Sequence, residues 1–255
     1  MSKNDIYDSN FIKATYENLE SARIILPIIF KYFTPKNIID VGSGGGSWLK
    51  AANELGISTL TGIEGSWLTK NKLLLEKIEL ITHDLKNVLP FYGKYDMAIS
   101  LEVAEHLPEN RGKSFISDLC ELSPVVLFSA AIPCQGGDNH INEQWQSYWY
   151  GLFKENNFVG IDLIRPQIWE NINVKSWYKQ NCMLYIHESK TLLFKNLEKS
   201  NFPLDIVHEE IFNIRPEYFS IRPFYPKKGI NIIIKRGIIL LFVILLFAVY
   251  LKLYI

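Results

Sequence analysis

The sequence has no net charge and no C-x-x-C motif. Each absence argues against one class of ligand. Lysine and arginine together number 27, as do aspartate and glutamate, so the formal net charge at pH 7 is zero. A neutral chain has no overall field to attract a polynucleotide, so we expect no nucleic-acid partner. The three cysteines, Cys120, Cys134 and Cys182, form no C-x-x-C pair. Their dispersal argues against a zinc site and indicates a reducing compartment.

Internal repeats and low-complexity tracts are also absent, which argues against solenoid and fibrous architectures. The 255 residues are 48% hydrophobic and 21% charged. This composition is typical of one ordinary globular domain with an additional apolar segment.

Charged residues are missing from Gly237 to Leu251, where almost all side chains are aliphatic or phenylalanine. As a helix, residues 237–255 would extend roughly 28 Å, against a bilayer hydrocarbon thickness of roughly 30 Å. Lys235 and Arg236 precede the segment, and basic flanks stay on the cytoplasmic side. We therefore predict a single-pass membrane anchor at 230–255, with the rest of the chain in the cytosol. A buried core helix is the alternative.

Short apolar runs alternate with helix-like segments at the spacing of βαβ units. The predicted strands are Asn37–Val41, Thr59–Glu64, Ile78–Thr82, Tyr95–Leu101, Val125–Ile132, Phe158–Ile164 and Cys182–His187. The main predicted helices are Glu17–Phe33, Trp48–Leu55, Arg111–Leu122 and Glu143–Asn156. The fold class is α/β, a doubly wound, mostly parallel seven-stranded sheet plus a C-terminal hydrophobic helix. The predicted divisions are an N-terminal helical segment (1–36), this domain (37–188), a linker or cap (189–229) and the anchor (230–255).

A glycine-rich turn follows the first predicted strand. Glycine permits a sharp turn and close approach of a ligand, and the start of the next helix presents free N–H groups. The dinucleotide pattern G-x-G-x-x-G, started at Gly42, would place its third glycine at Ser47, so that match fails. The chain instead has Asp40-x-Gly42-x-Gly44-x-Gly46. This pattern resembles the first motif of the class I S-adenosylmethionine (SAM)-dependent methyltransferases, whose methyl donor has a cationic amino-acid tail.

The resemblance extends over roughly residues 38–186. It implies that Glu64, at the end of the second strand, binds the ribose hydroxyls. It also implies that Asp84 meets the adenine amino group and that Leu85 packs on the adenine ring. The predicted SAM-binding residues are Asp40, Gly42, Gly44, Gly46, Glu64, Asp84, Leu85 and Leu101.

The segment after the fourth strand contains the pattern E-x-x-E-H. If it forms a helical turn, Glu102, Glu105 and His106 lie on one face, and His140 approaches from the loop after the fifth strand. The arrangement resembles metal-dependent O-methyltransferases, including the ubiquinone-pathway and small-RNA 2′-O-methyltransferase types. That resemblance implies Mg²⁺ at these four residues, acting on a substrate hydroxyl. Without metal, His140 or His106 is the predicted catalytic base, and an ordinary polar loop is the remaining interpretation of His140.

The stretch after the fifth strand mixes polar groups with aromatic rings, as a pocket for a sugar or another flat polar acceptor would. We predict His140, Asn142, Glu143 and Trp145 on the substrate side. Trp149 and Phe153 are spaced as interior positions of a helix.

The leading hypothesis is a SAM-dependent methyltransferase that methylates a hydroxyl of a small molecule, glycan or sugar precursor at a membrane. Methylation of a membrane quinone or lipid is an alternative, as is a non-catalytic, membrane-anchored SAM-binding module. A nicotinamide-dependent oxidoreductase would share the topology but requires the third glycine that Ser47 replaces.

Overall fold

The computed structural model describes residues 9–68, 73–75, 77–90, 92–194 and 202–214. Within these residues the strands are Asn37–Val41 (β1), Thr59–Glu64 (β2), Glu79–Thr82 (β3), Met97–Leu101 (β4), Val125–Ser129 (β5), Phe158–Ile161 (β6) and Met183–His187 (β7). The α-helices are Ser9–Phe30 (α1), Ser47–Glu54 (α2), Glu109–Leu122 (α3), Gln146–Glu155 (α4), Arg165–Ile168 (α5), Ser176–Asn181 (α6) and Glu209–Ile214 (α7). Short 3₁₀ segments cover Ala104–His106 and Glu188–Phe194.

The seven described strands form one sheet in the order β3-β2-β1-β4-β5-β7-β6. Strands β1 to β5 pair in parallel, whereas β7 is antiparallel to both β5 and β6. The predicted seven-stranded, mostly parallel α/β sheet is confirmed. Because β1 lies between β2 and β4, the segments that follow these three strands meet at one edge of the sheet.

Helices cover both faces of the sheet, and the alternation of side chains along each strand supplies both cores. In β1, Ile38 packs on the side of α1 and α2, and its neighbour Ile39 packs on the side of α3 and α4. Both are fully buried. Trp149 and Phe153 of α4 are also buried, as predicted.

Several predicted boundaries differ from the structure. Helix α1 begins at Ser9, earlier than the predicted Glu17, and Pro27 lies inside it. Helix α4 begins at Gln146 and not at Glu143. The Glu143 carboxylate accepts backbone N–H groups of the preceding loop, which holds this residue outside the helix.

The described part of the predicted linker or cap packs against the domain. The buried Arg165 guanidinium forms a two-point ion pair with Asp162 and also donates to the Leu204 carbonyl at 2.9 Å. Ile206 and Ile211 are buried. No helix among the described residues is long and apolar enough to cross a membrane. The predicted anchor at 230–255 lies outside the described residues.

Candidate active site

The turn after β1 forms a tight backbone loop that requires glycine. Gly42, Gly44 and Gly46 have φ angles of +83°, +51° and +78°, in the left-handed region that strains other residues. A Cβ built at Gly42 would lie 2.4 Å from Cγ2 of Val103. Gly46 directly precedes α2, so the first N–H groups of that helix are presented at the loop.

The Glu64 side chain, at the end of β2, fastens this loop to the sheet. Its Oε2 accepts a hydrogen bond from the Gly44 N–H at 2.9 Å, and its Oε1 accepts one from the Gly65 N–H at 2.7 Å. A carboxylate has about four acceptor sites. The Trp67 side chain also bonds Glu64, which leaves the carboxylate about one acceptor site for the ribose that the family resemblance assigns to it.

Asp40 is a buried carboxyl group beneath the glycine loop. Its side chain is 2% exposed, and its Oδ2 has no hydrogen-bond partner among the described residues. Burial raises the pKa of Asp40 well above its usual range, and the charge of Glu64 raises it further. Burial also raises the pKa of Glu64, although the N–H groups of Gly65 and Gly44 oppose this. Two neighbouring buried acids with an unpartnered oxygen are complementary to a cationic ligand group.

We expect Asp40→Asn to stabilise the ligand-free protein at neutral pH. Because the Asp40 pKa is raised on folding, the folded state binds more protons than the unfolded state. The free energy of unfolding therefore falls as the pH rises from about 4, the ordinary aspartate value, through the raised value. The substitution should flatten this slope in urea unfolding followed by circular dichroism, and should weaken SAM binding roughly 10- to 100-fold. Glu121→Gln, at an exposed acid, is the control. An unchanged pH slope in Asp40→Asn would contradict this role.

The two residues predicted to contact adenine follow β3 and have different exposures. Asp84 is exposed, and its Oδ1 accepts the Lys86 N–H at 3.1 Å. Leu85 is buried, and its carbonyl accepts a hydrogen bond from Nε of the buried Arg111 at 3.1 Å. Leu101, at the end of β4, is also buried.

Glu102 lies outside the helical turn that the sequence predicts for it. Its φ angle is +56°, and the 3₁₀ turn begins only at Ala104. Its carboxylate accepts hydrogen bonds from Gln135 Nε2 at 2.9 Å and Asn181 Nδ2 at 3.4 Å. Burial raises the pKa of Glu102, and these donors oppose the effect. Gln135 and Asn181 are far from Glu102 in sequence, so no local pattern indicated this contact.

Glu105, His106 and His140 converge beside Glu102. Potential ligand atoms of these three residues all lie within 4.8 Å of one another, and the two imidazole centroids are 4.8 Å apart. Glu105 is fully buried, and neither carboxylate oxygen has a hydrogen-bond partner among the described residues. Burial and the charge of Glu102 raise the pKa of Glu105 well above its usual range. Desolvation and the neighbouring His140 lower the pKa of His106.

The loop after β5 reaches this cluster because Glu105 holds it there. The N–H groups of Ile141 and Asn142 both donate to the Glu105 carbonyl, at 2.9 and 3.0 Å. The Asn142 side chain donates to the Ala104 carbonyl at 3.4 Å. The same residue thus supplies a carboxyl group to the cluster and anchors the segment that carries His140.

The four residues predicted to face the substrate have different environments in the structure. Asn142 is buried and Trp145 is half-buried. Glu143 bonds the loop itself and His140 Nδ1. Asn142 and Glu143 therefore hold the loop together, and His140 is the member of this set at the cluster.

Comparisons with known proteins agree with the geometry. The family model described as a methyltransferase domain matches residues 15–171, whereas no curated protein sequence matches. The structure is similar to a magnesium protoporphyrin IX methyltransferase from Synechocystis PCC 6803 with bound SAM, with a TM-score of 0.51 and 16% identity over 70% of this chain and 83% of that one. It is also similar to an O-methyltransferase family protein from Burkholderia thailandensis, with a TM-score of 0.56 and 11% identity over 72% and 59% of the two chains.

At these identities the solved structures establish the fold alone. The family match covers more than half of the chain, and it includes the glycine loop, Glu64 and the Glu105–His106–His140 cluster. The chain therefore belongs to the methyltransferase-domain family, as a class I SAM-dependent methyltransferase.

Proposed function

We propose that this protein methylates a hydroxyl group of a small molecule, glycan or sugar precursor at a membrane surface. The observation that carries the choice of oxygen is the cluster of Glu105, His106 and His140. It follows β4 and β5, at the same sheet edge as the glycine loop after β1. A hydroxyl is a poor nucleophile until its proton is removed or its charge is stabilised, and this cluster provides groups for either.

The residues fit a divalent cation. No described residue forms a hydrogen bond of good geometry with the buried Glu105 carboxyl group, which is costly unless a cation or a proton satisfies it. Carboxylate oxygen suits Mg²⁺ and Mn²⁺, and imidazole nitrogen suits transition metals such as zinc, iron and nickel. A cation held there would lower the pKa of an acceptor hydroxyl. Glu102, the fourth predicted ligand, is not in the group whose ligand atoms lie within 4.8 Å of one another, and its carboxylate accepts from Gln135 and Asn181. Glu105, His106 and His140 are therefore the proposed ligands.

The roles proposed for the other residues are those that the family resemblance implies. The glycine loop and the α2 N-terminus receive the amino-acid end of SAM, with Asp40 opposite its ammonium group. Glu64 accepts hydrogen bonds from the ribose hydroxyls, while Asp84 and Leu85 face adenine. Bound SAM would supply an electrophilic methyl group to the acceptor oxygen, with S-adenosylhomocysteine as the leaving group. The chain aligns donor and acceptor and excludes water.

A general base without metal is the second candidate, because the ionised Glu143 carboxylate is hydrogen-bonded to His140. In that case the His140 imidazole takes the acceptor proton. Chelation separates the two routes: EDTA should abolish turnover, and added Mg²⁺ or Mn²⁺ should restore it. Full turnover in EDTA would reject the metal and leave the base.

The acceptor and the membrane location are tested together. We propose that residues 230–255 anchor the protein with its catalytic domain in the cytosol, supported by the apolar segment and its basic flank. Full-length protein is incubated with methyl-labelled SAM and with separated membrane and soluble fractions. We expect label in a membrane-fraction product with an alkali-stable methyl ether. Label as an N-methyl amine would reject O-methylation, and SAM binding without transfer to any fraction would indicate a non-catalytic module.

A further inference from the structure

We propose that Glu143 is a positioning residue, which fixes the tautomer and the orientation of His140 so that its Nε2 lone pair faces the active site. This role rests on the proposed function, because His140 acts there as a ligand or as a base. It requires an acceptor at Nδ1, which the structure provides, and it leaves Nε2 as the ring nitrogen for the active site.

Three donors converge on the Glu143 carboxylate. Oε2 accepts the Cys134 N–H at 2.7 Å, and Oε1 accepts the Gly136 N–H at 3.1 Å and contacts His140 Nδ1 at 3.0 Å. Because two backbone N–H groups already donate to it, the carboxylate is the acceptor toward His140, and Nδ1 of His140 carries the proton.

A protonated Nδ1 determines the chemistry at the other end of the ring. In the neutral imidazole, Nε2 then has the free lone pair, which binds a metal or accepts a proton. Carboxylate partners commonly fix metal-binding histidines in this way. The His140 ring is close to His106, with centroids 4.8 Å apart, and one of its nitrogens lies within 4.8 Å of a Glu105 carboxylate oxygen.

The loop around the ring has no room for a side chain at Gly137. A Cβ at Gly137 would lie 2.4 Å from both Cε1 and Nε2 of His140. Gly137 has a φ angle of +147° and Gly136 one of +74°, so the backbone passes the ring closely where side chains are excluded. Glu143 bonds Nδ1 of the ring, and the Gly137 backbone passes close to Cε1 and Nε2.

The test compares Glu143→Ala with Glu143→Gln. Alanine removes the acceptor for Nδ1 and both loop contacts. Glutamine keeps one oxygen, which can still accept from Gly136 and His140, but it places an amide donor against the Cys134 N–H. Both substitutions therefore disturb the loop. Only alanine removes the acceptor that keeps the proton of His140 on Nδ1. This difference separates positioning from a merely structural role.

The readouts are the ¹⁵N shifts of the His140 ring in metal-free protein and Mn²⁺ affinity by electron paramagnetic resonance. We expect the Nδ1–H tautomer in the natural protein and in Glu143→Gln, and a mixture in Glu143→Ala. Mn²⁺ affinity should fall about 10- to 100-fold in Glu143→Ala and less in Glu143→Gln. Glu170→Gln, at an exposed acid, should change neither.

An Nδ1–H tautomer that persists in Glu143→Ala would overturn the positioning role, whatever the Mn²⁺ affinity. If Glu143→Ala does not fold, an Nε2–H tautomer in the natural protein or in Glu143→Gln would overturn it. If the natural protein binds no Mn²⁺ but its tautomer depends on Glu143, the cation in the proposed function fails and the positioning role stands.

Discussion

Gly42→Ala should reduce the affinity for SAM by at least about 100-fold. The new Cβ would lie 2.4 Å from Val103 Cγ2, and overpacking of this kind costs roughly 1–3 kcal/mol. A left-handed conformation costs a non-glycine residue roughly 1–2 kcal/mol more, and Gly42 has a φ angle of +83°. The loop must shift to relieve the contact with Val103 and the backbone strain. This shift moves the backbone to which we propose that the amino-acid end of SAM binds. Isothermal titration calorimetry measures the loss.

Gly56→Ala is the matched control for this experiment. Gly56 also has a left-handed φ angle, +94°, but a Cβ there would meet nothing within 4 Å. It follows α2, at the end remote from the loop. We expect a loss of stability of roughly 1–2 kcal/mol with unchanged SAM affinity. Equal SAM affinity in Gly42→Ala and the natural protein would show that the loop does not bind the methyl donor.

Glu105→Gln should lower turnover about 10²- to 10⁴-fold, the range for loss of an acid–base or charge-stabilising group. Glu105 is the carboxyl group of the cluster, and glutamine keeps its size while removing its charge. The backbone carbonyl of Glu105 still holds the loop at Ile141 and Asn142, so the substitution isolates the charge. Methyl transfer to the identified acceptor measures the effect.

SAM affinity should stay within about twofold in Glu105→Gln, because we assign the methyl donor to the loop after β1 and to Glu64. Glu109→Gln, at an exposed acid in the first turn of α3, is the control and should retain full turnover. Natural turnover in Glu105→Gln would remove the cluster from the mechanism.

The sequence predicted the fold well because its signals are local. A few neighbouring residues are enough to predict each element. The apolar run 37–41 predicts a strand, the glycines after it predict a turn, and the acid at Glu64 predicts the end of a strand. The family match confirms the methyltransferase assignment drawn from Asp40-x-Gly42-x-Gly44-x-Gly46, and it rejects the nicotinamide alternative. Strand and helix ends were predicted less accurately, since contacts such as those of Glu143 decide them.

The contacts within the site were less predictable, because they join distant parts of the chain. Gln135 and Asn181 both bond the Glu102 carboxylate, and amides of this type occur throughout any sequence. Glu143 was predicted to face the substrate, whereas its partners are the Cys134 and Gly136 N–H groups and His140. The glycine pair 136–137 in a polar loop was the one local sign of a tightly folded segment there.

Calorimetric titration of the full-length protein in detergent with SAM and with S-adenosylhomocysteine tests the central claim most directly. We predict that each ligand binds at one site per chain, that they compete, and that Asp40→Asn and Gly42→Ala both weaken SAM binding. Absence of heat with both ligands, in protein whose folding is verified by circular dichroism, would contradict the assignment of the glycine loop as the site of the methyl donor.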